Sequence, residues 1–383
     1  MRPRVIHADP ETKMPTPPMI DDLSLKPGFA DTVRRFEAWW DGEVTDRPPV
    51  TTRVTPSRPS ALPEPPHESL EARWLDPEYQ VDRRIDAVLR RDYPGDALPI
   101  VTPDVGPELT STLWGADLEF GETTSWSKPI VTDAARWRDV ADRAPDYDNR
   151  YWQASEAMTR LALEKCEGRY LVGVVDLHGN YDILAGLREP ELLCMDLVDD
   201  PEAVDAAARR AAAAFVDAFE RNYALVAESG QGSTSWVPMY HRGPAYVPSC
   251  DFWCMLGERH ARELVMPRIV EEMGPMERSI FHLDGPQALR HLDLLLELDE
   301  LDAVQWVYGA GNGAAADWID VYRRIRDGGK AIQVIATSGD DALAVLDAVG
   351  PSGVWLDVHE AFAGVDEAEA FLAEVERRSR GHG

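Results

Sequence analysis

The stretch SIFHLDGPQALRHLDLLLELDELDAVQWVYGAGN, residues 279–312, carries the signals from which the rest of the chain can be read. A short apolar run stops at His282 and Asp284, and a glycine and a proline follow at once, the punctuation that ends a strand. Leucines then recur through a polar-interrupted segment, and a second β-rich run, DAVQWVYG, comes after it. Strands separated by helical stretches pair in parallel, because parallel neighbours need a long crossover. His282 and Asp284 therefore stand where a buried strand finishes.

The same rhythm extends outward in both directions. PVTTRVT, ALPIVTPD, RYLVGVVDL and GSTSWVP precede the opening stretch, and KAIQVIA and SGVWLDV follow it. Alanine- and leucine-rich segments such as PEAVDAAARRAAAAFVDAFERNYALVAES separate them and read as helices. With SIFHLDG and DAVQWVYG this makes eight strand candidates, which predicts an α/β fold closed as a (β/α)8 TIM-type barrel. Ahead of it lies a proline-rich segment, DPETKMPTPPMIDD, and then FADTVRRFEAWWDGE, whose Phe36, Trp39 and Trp40 fall at helical spacing. Residues 1–47 are thus expected to form an arm and a helix packed on a barrel of residues 48–383.

Composition narrows the function classes. Lys and Arg total 39 against 68 Asp and Glu, a net charge of -29, so the surface repels nucleic acid and anionic membranes. The four cysteines, Cys166, Cys194, Cys250 and Cys254, are too few for a disulfide scaffold. Neither a signal-peptide pattern nor an 18-residue apolar run is present, and a soluble cytoplasmic protein is expected.

In such a barrel chemistry sits at the C-terminal mouth, just past each strand. The residues in those places are Asp104; Asp176 and His178; Trp236, Tyr240 and His241; His282 and Asp284; Gln305 and Trp306; and Asp357 with His359. Any one of them can be a structural helix cap, but acid–base and aromatic groups recur at several of these loops, which points to a pocket. His282, Asp284, Asp104 and His178 are the catalytic candidates. Asp182, Trp236, Tyr240, His241, Arg242, Gln305 and Trp306 are candidates for substrate contact. GAGNG (309–313) lacks the dinucleotide register and reads as a loop at the mouth.

Several blocks together carry a family resemblance: FHLDGPQALRHLDLLLELDELDAVQWV, RFEAWWDGEVTDRPPV, VVDLHGNYDILAGLREPELLCMDLVDDPEAV and CDFWCMLGERHARELVMPRIVEE. Spanning most of residues 34–358, they resemble the uroporphyrinogen decarboxylase superfamily, in particular its decarboxylase-like and corrinoid-dependent methyltransferase-like branch. The resemblance implies a (β/α)8 barrel. It does not extend to true uroporphyrinogen decarboxylase, whose arginine-rich N-terminal segment is reduced here to TDRPPV, with Arg47 and Arg53 nearby. In the methyltransferase-like relatives a His-x-Cys pair on the corresponding strand and a later cysteine bind zinc. Here His282 matches the histidine, Asp284 replaces the cysteine, and no cysteine follows Cys254.

Zinc accepts carboxylate oxygen, so His282 and Asp284 remain metal candidates, with Cys250 or Cys254 either completing the set or simply packing in the core. A metal-free pair would instead act as an acid–base dyad. The resemblance thus implies methyl transfer on a small molecule, with any corrinoid brought by a separate protein, because DVHEAFAG (357–364) has its glycine misplaced for a corrinoid motif. A metal-free decarboxylase or lyase acting on a small acid, and a non-catalytic binding protein on the same barrel, are the alternatives. The family also includes homodimers.

Overall fold

The structure, a computed structural model, describes residues 19–381; the first part of the expected N-terminal arm lies outside the described residues. Among the described residues ten strands are formed: β1 (Val50–Val54), β2 (Ile100–Val101), β3 (Leu118–Phe120), β4 (Ser125–Ser127), β5 (Leu171–Val172), β6 (Ala245–Tyr246), β7 (Arg278–Asp284), β8 (Ala303–Val307), β9 (Ala331–Ala336) and β10 (Val354–Phe362). β1, β10, β9, β8, β7 and β6 join in that order into one sheet, every pair parallel. Helices such as Ile319–Asp327 and Gly339–Val349 cross between consecutive strands, as parallel pairing requires. Both faces are covered, so β9 (AIQVIA) reads as an almost unbroken buried run.

The sheet is a curled, TIM-like half-barrel. Seven of the eight expected strands form, though β2 and β5 are only two residues each and pair with one another apart from the main sheet. GSTSWVP forms no ladder; among the described residues it makes single bridges, Val174 to Ser235 and Ser233 to His241. The cause is a chain reversal: Ser233 Oγ donates to the Gly243 carbonyl at 2.7 Å and accepts from Ala245 N–H at 3.0 Å. β6, after that reversal, takes the place beside β7. The described ladders therefore stop short of a closed eight-strand ring. The β3–β4 hairpin, which carries the exposed Trp126, has no counterpart among the strands expected from sequence.

Helix α1 (Phe29–Trp40) closes the N-terminal end of the sheet. Phe29, Val33, Phe36, Trp39 and Trp40 are all buried, and they form one core with the first residues of the strands: Leu171, Ala245, Ile280, Ala303, Ala331 and Trp355. Trp39 Nε1 donates to the Ile332 carbonyl at 3.1 Å, and Trp40 Nε1 to the Tyr240 carbonyl at 2.8 Å. That end is plugged by aromatics, and a cavity opens at the C-terminal ends of the strands. Among the described residues, no helix is long and apolar enough to cross a membrane.

Candidate active site and metal centre

Along β7 alternate residues share a face, so Ile280, His282 and Asp284 line the inside in succession. Ile280 belongs to the plugged end, His282 sits at mid-depth, and Asp284 is exposed at the rim. Gly285 follows with φ 81°, the left-handed turn that ends the strand. A third group reaches them from the loop after β6. Asp251 precedes the short 3-10 turn Phe252–Met255, and the backbone N–H groups of Asp251 and Phe252 each donate to the Asp182 carboxylate at 2.9 Å. Asp182, in the first turn of the helix Asn180–Arg188, is buried and so fixes where Asp251 stands.

One ligand atom from each of Asp251, His282 and Asp284 lies within 4.8 Å of the others. Among the described residues, this is the group of His, Cys, Asp or Glu side chains close enough to share one ion. Two carboxylates and an imidazole suit zinc or a neighbouring divalent metal with three protein ligands and an open position. Burial and the neighbouring Asp182 push the Asp251 carboxyl up to about 6, a repulsion that a bound cation would relieve. The donor set therefore fits a divalent metal.

The cysteines stand apart from that cluster. Cys250 is buried in the main core, and burial drives its thiol well up. Cys254 is half-buried, and burial together with Asp251 raises its thiol as well. Both shifts oppose the thiolate form in the metal-free protein.

A second titratable group adjoins the first. Burial pushes Asp176 up to about 7. At His178 burial opposes the charge, but Asp182, Glu108 and Asp176 outweigh it and raise the imidazole to about 9. The His178 Nδ1 atom lies 3.8 Å from Glu108 Oε1 and makes no hydrogen bond. Asp104 accepts the Asp176 N–H at 2.7 Å, and burial raises its carboxyl despite Arg84. Linkage gives the sign: a raised histidine stabilises the fold fully below pH 6.5, and that stability is lost as pH rises through about 9. In metal-free protein the His178 ring signals are expected to titrate near pH 9 by NMR, and the urea midpoint to fall between pH 6.5 and 9.5 in a way that His178→Asn flattens. A midpoint at or below 6.5 contradicts the placement.

Two further features complete the mouth. Trp236 packs edge-on against His282, ring centres 5.1 Å apart. Beside Asp284, whose register partner is Val307, opens a cavity of about 370 Å³ lined by Tyr308, Gly309, Gly311, Ile335, Thr337 and His359. Its size lies within the range of small-molecule sites. Asp357 and His359, two residues apart on β10, meet through Asp357 Oδ2 and His359 Nε2 at 3.2 Å.

Of the other sequence candidates, most lie elsewhere. Tyr240, His241 and Arg242 sit at the plugged end: Tyr240 packs on Phe29, and His241 lies between Glu37 and Glu277 at 3.2 and 3.3 Å. The Arg242 backbone N–H donates to Glu37 at 3.2 Å. Gln305 faces inward beside His282, and Trp306 on the alternate face packs against Trp318 with centroids 5.2 Å apart. Arg47 is buried and bound to Asp96 and the Pro48 carbonyl. Asp251 was not among the sequence candidates; its one signal is a polar residue heading a helical turn right after the run that became β6.

No protein-family model matches the chain, and no curated protein matches it in sequence. Among solved structures, a methyltransferase from Methanosarcina mazei is similar over 91% of this chain and 98% of its own, with 11% identity and a TM-score of 0.58. A B12-independent methionine synthase from Shewanella sp. W3-18-1, in complex with selenomethionine, aligns over 87% of this chain and 98% of its own, at 10% identity and a TM-score of 0.44. The first similarity shows a shared TIM-like fold, which agrees with the fold expected from the sequence.

Proposed function

We propose that this chain is a small-molecule enzyme of the uroporphyrinogen decarboxylase-like type that transfers or removes a methyl group, with a divalent metal, zinc by preference, held by Asp251, His282 and Asp284. The observation that carries the reading is the convergence of these three side chains at the strand ends, next to a cavity of small-molecule size. The methyltransferase of Methanosarcina mazei, alike in fold, supports the choice of methyl transfer. When bound, the metal would supply Lewis acidity, lowering the pKa of a coordinated thiol or water.

The protein's own groups have separable tasks. Asp182 holds the Asp251 loop through two backbone N–H groups, and Trp236 limits the movement of the His282 ring. His178, protonated at neutral pH, keeps a proton within reach of the mouth. Tyr308, Ile335 and the glycine loop after β8 offer an apolar wall to the substrate body. A corrinoid, if it is the methyl carrier, comes on a separate protein.

A metal-free decarboxylase or lyase is the second reading, favoured by Asp176 near 7 beside His178 near 9, a pair suited to passing a proton. Elemental analysis of freshly purified protein separates the two. About one equivalent of a divalent metal, lost in His282→Ala, is the expected result; metal-free wild type that keeps full activity after exhaustive chelation favours the second.

A further inference from the structure

Behind His282 a row of side chains crosses the sheet interior, and its hydrogen bonds can run in only one direction. Trp355 Nε1, which can only donate, meets Thr51 Oγ1 at 3.1 Å. The Thr51 hydroxyl is then free to donate to Asp357 Oδ1, at 2.8 Å. Asp357 Oδ2 accepts from Gln333 Nε2 at 3.1 Å and from His359 Nε2 at 3.2 Å. With its nitrogen committed, Gln333 turns its oxygen to Gln305 Nε2 at 2.8 Å. Gln305 in turn presents its own oxygen to His282 Nδ1. An amide oxygen carries no proton, so the ring nitrogen facing it must.

We infer that Gln305, Gln333 and Asp357 are positioning residues that fix His282 as the tautomer protonated on Nδ1, leaving the Nε2 lone pair free. Register makes this possible: His282, Gln305 and Gln333 are direct partners across β7, β8 and β9, so their side chains lie side by side. Gln305, Gln333, Asp357 and Thr51 are buried, where a mispaired amide would leave a donor or an acceptor without a partner. The row therefore reverses as a unit or not at all. What the free Nε2 does rests on the metal reading above; the tautomer itself does not.

Asp357→Asn tests the direction with a change of one atom type. Thr51 still donates to Oδ1, so the new amide nitrogen takes the Oδ2 position and donates both to Gln333 and to His359, whose Nε2 switches to accepting. Gln333 and Gln305 must then flip, and Gln305 donates to Nδ1, moving the His282 proton to Nε2. In metal-free protein labelled with 15N-histidine, with His282 assigned by its loss in His282→Gln, the neutral wild-type ring is expected with its proton on Nδ1 and the Asp357→Asn ring with its proton on Nε2. Gln333→Met, which cuts the row, is expected to give a mixture and decides the matter if Asp357→Asn does not fold. An Nε2-protonated wild type, or an unchanged tautomer in the variant that folds, overturns the inference. Zinc competition against a chelator adds a second readout: Asp357→Asn is expected to weaken zinc roughly 10–100-fold, as loss of an outer-shell partner does. A tautomer that inverts in a protein with no zinc affinity would sink the metal reading and leave the relay standing.

Discussion

Asp251→Ala is expected to lower the affinity for zinc by more than about 100-fold, beyond the roughly 10–100-fold that outer-shell changes alone cost, while the fold is retained. The Asp251 carboxylate makes no cap hydrogen bond to the turn, which is held instead by backbone N–H groups on Asp182. Removing it deletes one of three converging donors. Cys250→Ser and Cys254→Ser are expected to leave zinc affinity within about threefold, since neither thiol belongs to the cluster and outer-shell losses of consequence begin near tenfold. Competition against a zinc-sensitive dye checks all three variants. A large loss in either cysteine variant, with Asp251→Ala unchanged, would move the metal to the thiols.

Trp39→Ala is the substitution with the largest expected effect on stability. The indole is fully buried between Phe36, Trp40 and Trp355 and satisfies the Ile332 carbonyl. Its loss opens a cavity under the sheet and removes the indole hydrogen bond, a cost of about 3–5 kcal/mol for a buried large aromatic. Urea unfolding should show a lower midpoint with an unchanged slope. Because the plug lies at the end opposite Asp284, zinc affinity of the folded fraction should stay near that of the wild type. A loss below about 1 kcal/mol would mean that α1 does not close the sheet as described.

How far the sequence could be read depended on periodicity. β7 to β10 were legible because each is five or more residues long and bounded by turn residues, and the same pattern put His282 and Asp284 on one face at a strand end. β2 and β5 were marked by the apolar runs ALPIVTPD and RYLVGVVDL although each ladder is only two residues long, whereas β6, also two residues, is too short for an alternation to register. GSTSWVP looked like a strand because its side chains alternate, but Ser233 binds across a reversal that no local pattern announces. That reversal carries Tyr240, His241 and Arg242 to the plugged end, where sequence order alone would have set them at the mouth.

Asp251 was hidden for a related reason. It lies between two cysteines that are themselves metal-ligand candidates by residue type, and its position depends on Asp182, sixty-nine residues earlier in the chain. Gln333 was equally silent: one polar residue in AIQVIA gives no hint of a relay that depends on register with β8 and β10. What local pattern can supply is the strand and its end. Which loops meet there is set by long-range packing.

The most direct measurement is X-ray diffraction from zinc-equilibrated crystals, recorded on both sides of the zinc absorption edge. The expected result is a single strong anomalous peak at the strand ends, in contact with the carboxylates of Asp251 and Asp284 and with His282 through Nε2. An empty mouth at saturating zinc, or a peak on Cys250 or Cys254 instead, would contradict the metal centre and with it the preference for methyl transfer over metal-free chemistry.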